Sequence, residues 1–139
     1  LFFTAYRYVH HATEKWRGDC LASLESRTDD NGTPLKVSLG PEALPGCVMS
    51  FAYWNPQMLR QSRLLNAQSG ELETVRVANM AEDTVAVRGV VKAATRYRIH
   101  GPKQPIDLWY SPAGEWLALE STLESGRRLR YRLEQEGQP

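Results

Sequence analysis

Thr95-Arg96-Tyr97-Arg98-Ile99-His100 sets Thr95, Tyr97 and Ile99 against Arg96, Arg98 and His100. That period of two belongs to a strand with one packed and one wet face, whereas a helix would repeat every 3.6 residues. A sheet with one solvated face is typically antiparallel. Turn chemistry punctuates the rest of the chain at short intervals: Asp29-Asp30-Asn31-Gly32, Ser69-Gly70, Gly101-Pro102, Ser111-Pro112-Ala113-Gly114 and Ser125-Gly126. Between these turns the pattern predicts strands over 4–17, 20–29, 33–39, 47–53, 62–68, 71–79, 84–100 (which Gly89 can break), 105–111, 115–123 and 127–134. One short helix is predicted near 55–61, with Asn55 as N-cap and Pro56 in first position. The fold class is therefore all-β. The alternatives are a strongly curved antiparallel sheet, a partly open β-barrel of hairpins, or a sandwich, and the first two fit best.

Three hairpins have a testable register. A two-residue turn at Asn31-Gly32 sets Leu24 against Leu39, Ser26 against Val37 and Thr28 against Leu35. A four-residue loop at Ser111–Gly114 pairs Leu108 with Leu117 and Ile106 with Leu119, and brings Trp109 and Trp116 together on the opposite face. In the last hairpin a two-residue turn would bury arginines against leucines. A three-residue loop, Glu124-Ser125-Gly126, instead matches Leu119 to Tyr131, Leu117 to Leu133 and Glu120 to Arg130.

The chain has 139 residues, a net charge of +1, 42% apolar and 24% charged residues. These values fit one globular β domain over 1–139 rather than a multidomain enzyme or a disordered chain. A balance so near zero argues against a general polyanion binder, and no nucleic-acid partner is expected. The most apolar stretch, Leu44 to Leu59, is interrupted by Pro45 and Pro56 and falls short of the roughly 20 residues of a membrane span. The chain opens at Leu1-Phe2-Phe3 inside what reads as a strand, so further N-terminal strands are expected upstream. Cys20 and Cys47 form one disulfide or stand as two separate buried thiols. A turn directly before each, Arg17-Gly18-Asp19 and Leu44-Pro45-Gly46, favours the bridge and with it an oxidising compartment.

Chemistry-bearing motifs are sparse. His10 and His11 are adjacent on a strand and point to opposite faces, so no metal site is expected. Gly-x-Ser-x-Gly, a P-loop and a dinucleotide fingerprint are all missing, and no catalytic residue or cofactor is assigned. Two features remain. The uncharged segment Leu44 to Leu59 is either a central strand that plugs the core or the wall of an apolar cavity, with Met49, Phe51, Trp54 and Met58 as lining. The second is the face of the last strands, where Asp107, Trp109, Trp116, Ala118 and Glu120 stand beside Arg128, Arg130 and Arg132. The run from Thr84 to Ile106 adds Arg88, Lys92, Arg96, Arg98 and Lys103 without an acid. If its strand neighbours the last hairpins, these residues form a basic patch for acidic groups, although arginine on an outer strand face commonly serves only solvation.

Trp16-Arg-Gly-Asp-Cys20, Ser26-Arg-Thr-Asp-Asp-Asn-Gly32, Leu44-Pro-Gly-Cys47 with Phe51-Ala-Tyr-Trp-Asn-Pro56, and Pro105-Ile-Asp-Leu-Trp-Tyr110 with Trp116-Leu-Ala-Leu-Glu-Ser121 together give a resemblance over nearly the whole chain. The chain resembles a family of bacterial proteins of unknown function that carry a signal peptide and reside in the periplasm. The resemblance implies a periplasmic or secreted protein, further N-terminal strands and extra residues between Gly40 and Pro41. The hairpins also look like the curved sheets of periplasmic lipoprotein and lipid carriers, a likeness of fold that transfers no function. Three readings follow. The first is a non-enzymatic periplasmic domain holding an apolar or lipid-like ligand. The second is an interaction module, or an accessory subunit of a cell-envelope assembly, that uses the Trp and Arg face. The third is a small glycan-acting enzyme using Asp107 and Glu120.

Overall fold

Alternation and turn chemistry are realised along most of the chain. The computed structural model describes residues 8–122, 126 and 128–133. Residues 4–7, 123, 127 and 134 of the expected strands, and Glu124 and Ser125 of the last loop, lie outside the described residues. Contacts divide the chain into two compact units, one ending at Phe51 and resuming over Arg63–Leu72, the other formed by Ala52–Ser62 and the chain from Glu73 onward.

In the first unit, β1 (Tyr8–Arg17), β2 (Cys20–Asp30) and β3 (Thr33–Leu39) make an antiparallel meander. The β2–β3 register is the expected one, with Leu24 opposite Leu39, Ser26 opposite Val37 and Thr28 opposite Leu35. Asn31 at φ 51° and Gly32 at φ 93° close it as a two-residue turn of the primed kind, and the Asp29 carboxylate accepts from the Gly32 N–H at 2.7 Å. Leu21, Leu24, Leu44, Val48 and Leu65 form the core of this unit, with Trp16, Val37 and Leu39 packed against it. The disulfide between Cys20 and Cys47 is present, with a Cα separation of 4.8 Å. Beside it the Leu21 N–H donates to the Val48 carbonyl at 2.8 Å.

The expected strand at 47–53 shrinks to β4 (Met49–Ser50), and that at 62–68 to β5 (Arg63–Leu65). The two pair in parallel, Met49 with Leu64 and Ser50 with Leu65. A parallel pair joined by a turn-rich crossover lies outside a reading built on hairpins alone. After β5 the Asn66 side chain accepts from the Gln68 and Ser69 N–H groups and turns the chain, and β6 (Leu72–Thr74) follows.

The second unit holds β7 (Arg76–Val87), β8 (Val90–His100), β9 (Ile106–Tyr110), β10 (Trp116–Thr122) and β11 (Arg128–Arg132). They form a five-stranded sheet in the order β11-β10-β9-β8-β7, with antiparallel pairing throughout. The fold is all-β, and within this sheet β7 and β11 are open edges among the described residues. Gly89 does break the 84–100 stretch: Arg88 and Gly89, at φ 51° and 77°, join β7 to β8. The strands expected at 71–79 and from 84 onward merge into β7 through a bulge at Met80-Ala81. There the Asn79 side chain accepts from the Ala81 N–H at 2.8 Å and Ala81 takes φ 90°. The short helix is a 3-10 turn over Pro56–Arg60, capped by the Asn55 side chain on the Gln57 N–H at 3.0 Å.

One register differs from expectation and matters for the site. Leu108 faces Leu119 rather than Leu117, Asp107 faces Glu120, and Ile106 faces Ser121. The β9–β10 loop holds three residues closed by Gly114 at φ 87°, with the Ser111 N–H on the Glu115 carbonyl at 2.8 Å. Trp116 then pairs with Tyr110, and Leu117 is the extra residue of a bulge before Ala118 meets Trp109. The last hairpin has the expected register, Leu119 with Tyr131 and Glu120 with Arg130, and Gly126 stands at φ 85°.

Candidate functional site

Residues directly opposite in an antiparallel ladder share a face. By that rule Arg96 and Arg98 of β8, Asp107 and Trp109 of β9, Ala118, Glu120 and Thr122 of β10, and Arg128, Arg130 and Arg132 of β11 all stand on one side of the sheet. The strand order therefore brings the arginines of β8 and β11, far apart in sequence, onto one face. The basic run of β8 does neighbour the last hairpins, as the patch required.

The charges are arranged as two forks. Arg98 reaches Asp107 through Nε to Oδ1 at 2.7 Å and Nη2 to Oδ2 at 3.1 Å, while Arg96 donates to Oδ2 through Nε at 3.1 Å and also through Nη2. Burial pushes the Asp107 carboxyl up, but the hydrogen bonds from Arg98 and Arg96 and their charges outweigh it and hold the group below the usual carboxylate range. The same bonds push Arg98 further up. On the next strand Glu120 Oε1 takes Arg130 Nε at 3.1 Å and Arg132 Nη2 at 3.2 Å. Arg128 pairs with no carboxylate among the described residues. Among the described residues five guanidiniums thus surround two carboxylates, and Asp83, opposite Ala94 and beside Arg96, adds a third acid on the same face.

Trp109 sits beneath this layer. Its side chain is 6% exposed and belongs to the second unit's core with Val85, Val87, Ala94, Leu117 and Ala118. The Arg96 and Arg132 guanidiniums lie 5.5 and 6.0 Å from its ring centroid, and its Nε1–H donates to Asp83 at 3.1 Å. That hydrogen bond, with one from the Thr84 N–H, lowers the Asp83 carboxyl below its ordinary value. Trp116 does not meet Trp109, contrary to expectation, because the three-residue loop and the Leu117 bulge put it on the Tyr110 side. There its ring lies 4.7 Å from Tyr53, which is 6.5 Å from Tyr131. Tyr110 on that side is buried, donates to the Tyr53 carbonyl at 2.6 Å, and has its hydroxyl pKa raised by burial.

Beside the forks opens a polar cleft of about 440 Å³ between Arg96 and Arg98, the Gln104-Pro105 turn, Ser121, Thr122 and Arg128, with Asp107 and Glu120 in its wall. Arg96 and Arg98 were legible only as a basic run, and Gln104, Ser121 and Thr122 carried no signal of their own. The clue was the parity of the strands: Arg98 and Asp107 become partners once the Gly101–Pro105 segment is read as a hairpin loop.

The apolar candidates fare differently. Met49 and Met58 are each 1% exposed, Phe51 is half-buried, and Trp54 is 54% exposed. Met49 and Phe51 belong to the first unit, Trp54 and Met58 to the second. The first unit has a groove of about 290 Å³ along the disulfide, lined by Arg17, Leu21, Pro41 and Leu44. His10 hydrogen-bonds Thr28 through Nδ1 at 2.7 Å. Among the described residues no group of three or more His, Cys, Asp or Glu is placed to hold a metal ion. No helix there is long and apolar enough to cross a membrane. No curated protein and no solved structure gives a match to this chain. One family model, described as a domain of unknown function (DUF6134), matches residues 1–134.

Proposed function

Since the chain belongs to the DUF6134 family, a domain of unknown function, we propose its role from the geometry: a non-catalytic interaction domain that docks an acidic protein partner on its arginine face outside the cytoplasm. The observation that carries this reading is the pair of arginine forks, which gather five guanidiniums around Asp107 and Glu120 on one side of a regular sheet, with Asp83 the third described acid there. Such a field steers an acidic partner and fixes its orientation. Cysteines joined in a disulfide support an oxidising, extracytoplasmic compartment. A lipid carrier is the weaker reading, because Met49 and Met58 are fully packed rather than lining space. The glycan reading needs one carboxyl kept protonated as general acid. Both carboxyls of that reading, Asp107 and Glu120, are instead each taken up by two arginines.

Native mass spectrometry of the chain isolated from its own cells tests the docking. A stoichiometric protein partner is expected, released by salt and absent from the Arg130→Glu/Arg132→Glu variant. A bare chain, a lipid-sized adduct, or a partner that survives both treatments refutes the proposal.

A further inference from the structure

We propose that β11 is the edge on which the protein partner docks, by adding to the sheet an extended strand that carries acids at alternate positions. This inference rests on reading the arginine face as the docking surface and says how the partner is held there.

The direction of the backbone carries it. The Leu133 N–H donates to the Leu117 carbonyl at 2.9 Å, in the same register that sets Arg132 opposite Ala118 and Tyr131 opposite Leu119. Bonded and non-bonded pairs alternate along an antiparallel ladder. Leu129 and Tyr131 therefore spend their backbone groups on β10, and the N–H and carbonyl of Arg128, Arg130 and Arg132 point away from the sheet. β11 ends the strand order, and Arg128, Arg130 and Tyr131 are exposed, Tyr131 at 48%. The opposite edge is built differently: β7 is interrupted by its Met80-Ala81 bulge, with Ala81 at φ 90°, and a bulge blunts an edge against pairing. The β11 ladder runs without a break.

The side chains choose the occupant. Residues of an added strand that stand opposite Arg128, Arg130 and Arg132 share the arginine side, where acids pair with them across the strands. Glu120 holds Arg130 and Arg132 on that side before a partner arrives, which lowers the ordering cost of binding. The residues in between fall on the side of Leu129 and Tyr131 and are best apolar. A second copy of β11 is refused, because antiparallel pairing centred on Arg130 sets Arg128 against Arg132 and Arg130 against itself, and like charges directly opposite repel. Charge alone would accept any acidic surface. The outward row of backbone donors and acceptors restricts it to an extended segment.

Hydrogen exchange and calorimetric titration of the full chain test the edge, with a short capped peptide alternating Glu and Val as probe. The controls are a peptide of the same composition with its acids clustered and the alternating peptide N-methylated throughout. In the free chain the Tyr131 and Leu133 amides are expected to exchange slowly and those of Arg130 and Arg132 quickly, and the alternating peptide should slow the latter two. It should bind at least about tenfold more tightly than either control, a difference of about 1.4 kcal/mol. Arg130→Pro removes an outward N–H and leaves the β10 ladder intact, so it should lose about tenfold more affinity than Arg130→Gln, which removes the same charge and keeps the N–H. Should Arg130→Pro unfold by circular dichroism, the N-methylated peptide reads the same loss. Slow exchange of Arg130 and Arg132 in the free chain, no binding of the alternating peptide, equal binding of the three peptides, or equal loss in two folded variants overturns the edge. If the edge fails while the Arg130→Glu/Arg132→Glu variant still loses its protein partner, the strand inference falls and the docking reading stands.

Discussion

Trp109 shows how far a side chain's type can mislead about its job. From the sequence it reads as an aromatic platform on a wet face. In the structure the arginines cover it and the ring completes the core of the second unit. Trp109→Ala is therefore expected to cost about 3–5 kcal/mol of stability, as truncations of large buried aromatics do, and denaturant melts will detect it. Loss of a partner in that variant would report unfolding rather than recognition. Asp107 is the residue whose ionisation ties the face together. Its folded pKa lies below the ordinary carboxylate value of about 3.9. The ionised group then contributes stability that is fully present above that value and drains away as pH falls through the lower folded one. Asp107→Asn is expected to remove this acid limb, flattening the denaturation midpoint between about pH 5 and pH 2. At neutral pH it should cost on the order of 1–3 kcal/mol, because two guanidiniums, each about a third exposed, lose their shared acceptor. An acid limb that survives the substitution would show that other carboxylates carry it.

At the scale of elements, the hairpins that were legible had both a turn signature and an apolar–polar conflict that only one register resolves. Asn31-Gly32 is such a turn, and the arginines of β11 left only one acceptable pairing with the leucines of β10. What escaped were single extra residues. Leu117 and Met80-Ala81 each sit in bulges that shift a ladder without changing composition, so period counting passes over them. The parallel pairing of β4 with β5 escaped for another reason: an apolar run of this length does not say whether it is a strand or packed turns. The β7–β8 turn offers a test of turn chemistry. Arg88 occupies φ 51°, the conformation Asn31 takes at the equivalent place in the β2–β3 turn. Asn tolerates this region better than Arg, so Arg88→Asn is expected to raise stability by about 0.5 kcal/mol. A thermal melt that moves downward would mean the Arg88 side chain contributes more than the strain it incurs.

For the molecule as a whole, the net charge of +1 concealed the feature that matters, because 17 cations and 16 acids are not evenly mixed. The sheet face concentrates five arginines around two carboxylates, and only the strand order reveals it. The disulfide was legible from the turns beside each cysteine, and it links β2 to the segment leading into β4. With a sequence separation of 27, the closed loop is worth roughly 3–4 kcal/mol on the chain-entropy model. A Cys20→Ser/Cys47→Ser variant is expected to lose about that much in a denaturant titration, and the Leu21 amide, bonded to the Val48 carbonyl next to the bridge, should exchange faster. The disulfide also supports the proposed extracytoplasmic location, since a cytosolic chain would keep both thiols reduced. Thiol labelling of the protein in its own cells, before and after reduction, is therefore expected to modify neither cysteine first and both afterwards. Labelling without reduction would withdraw the extracytoplasmic location, while the arginine face, whose strands do not include either cysteine, would still await its partner.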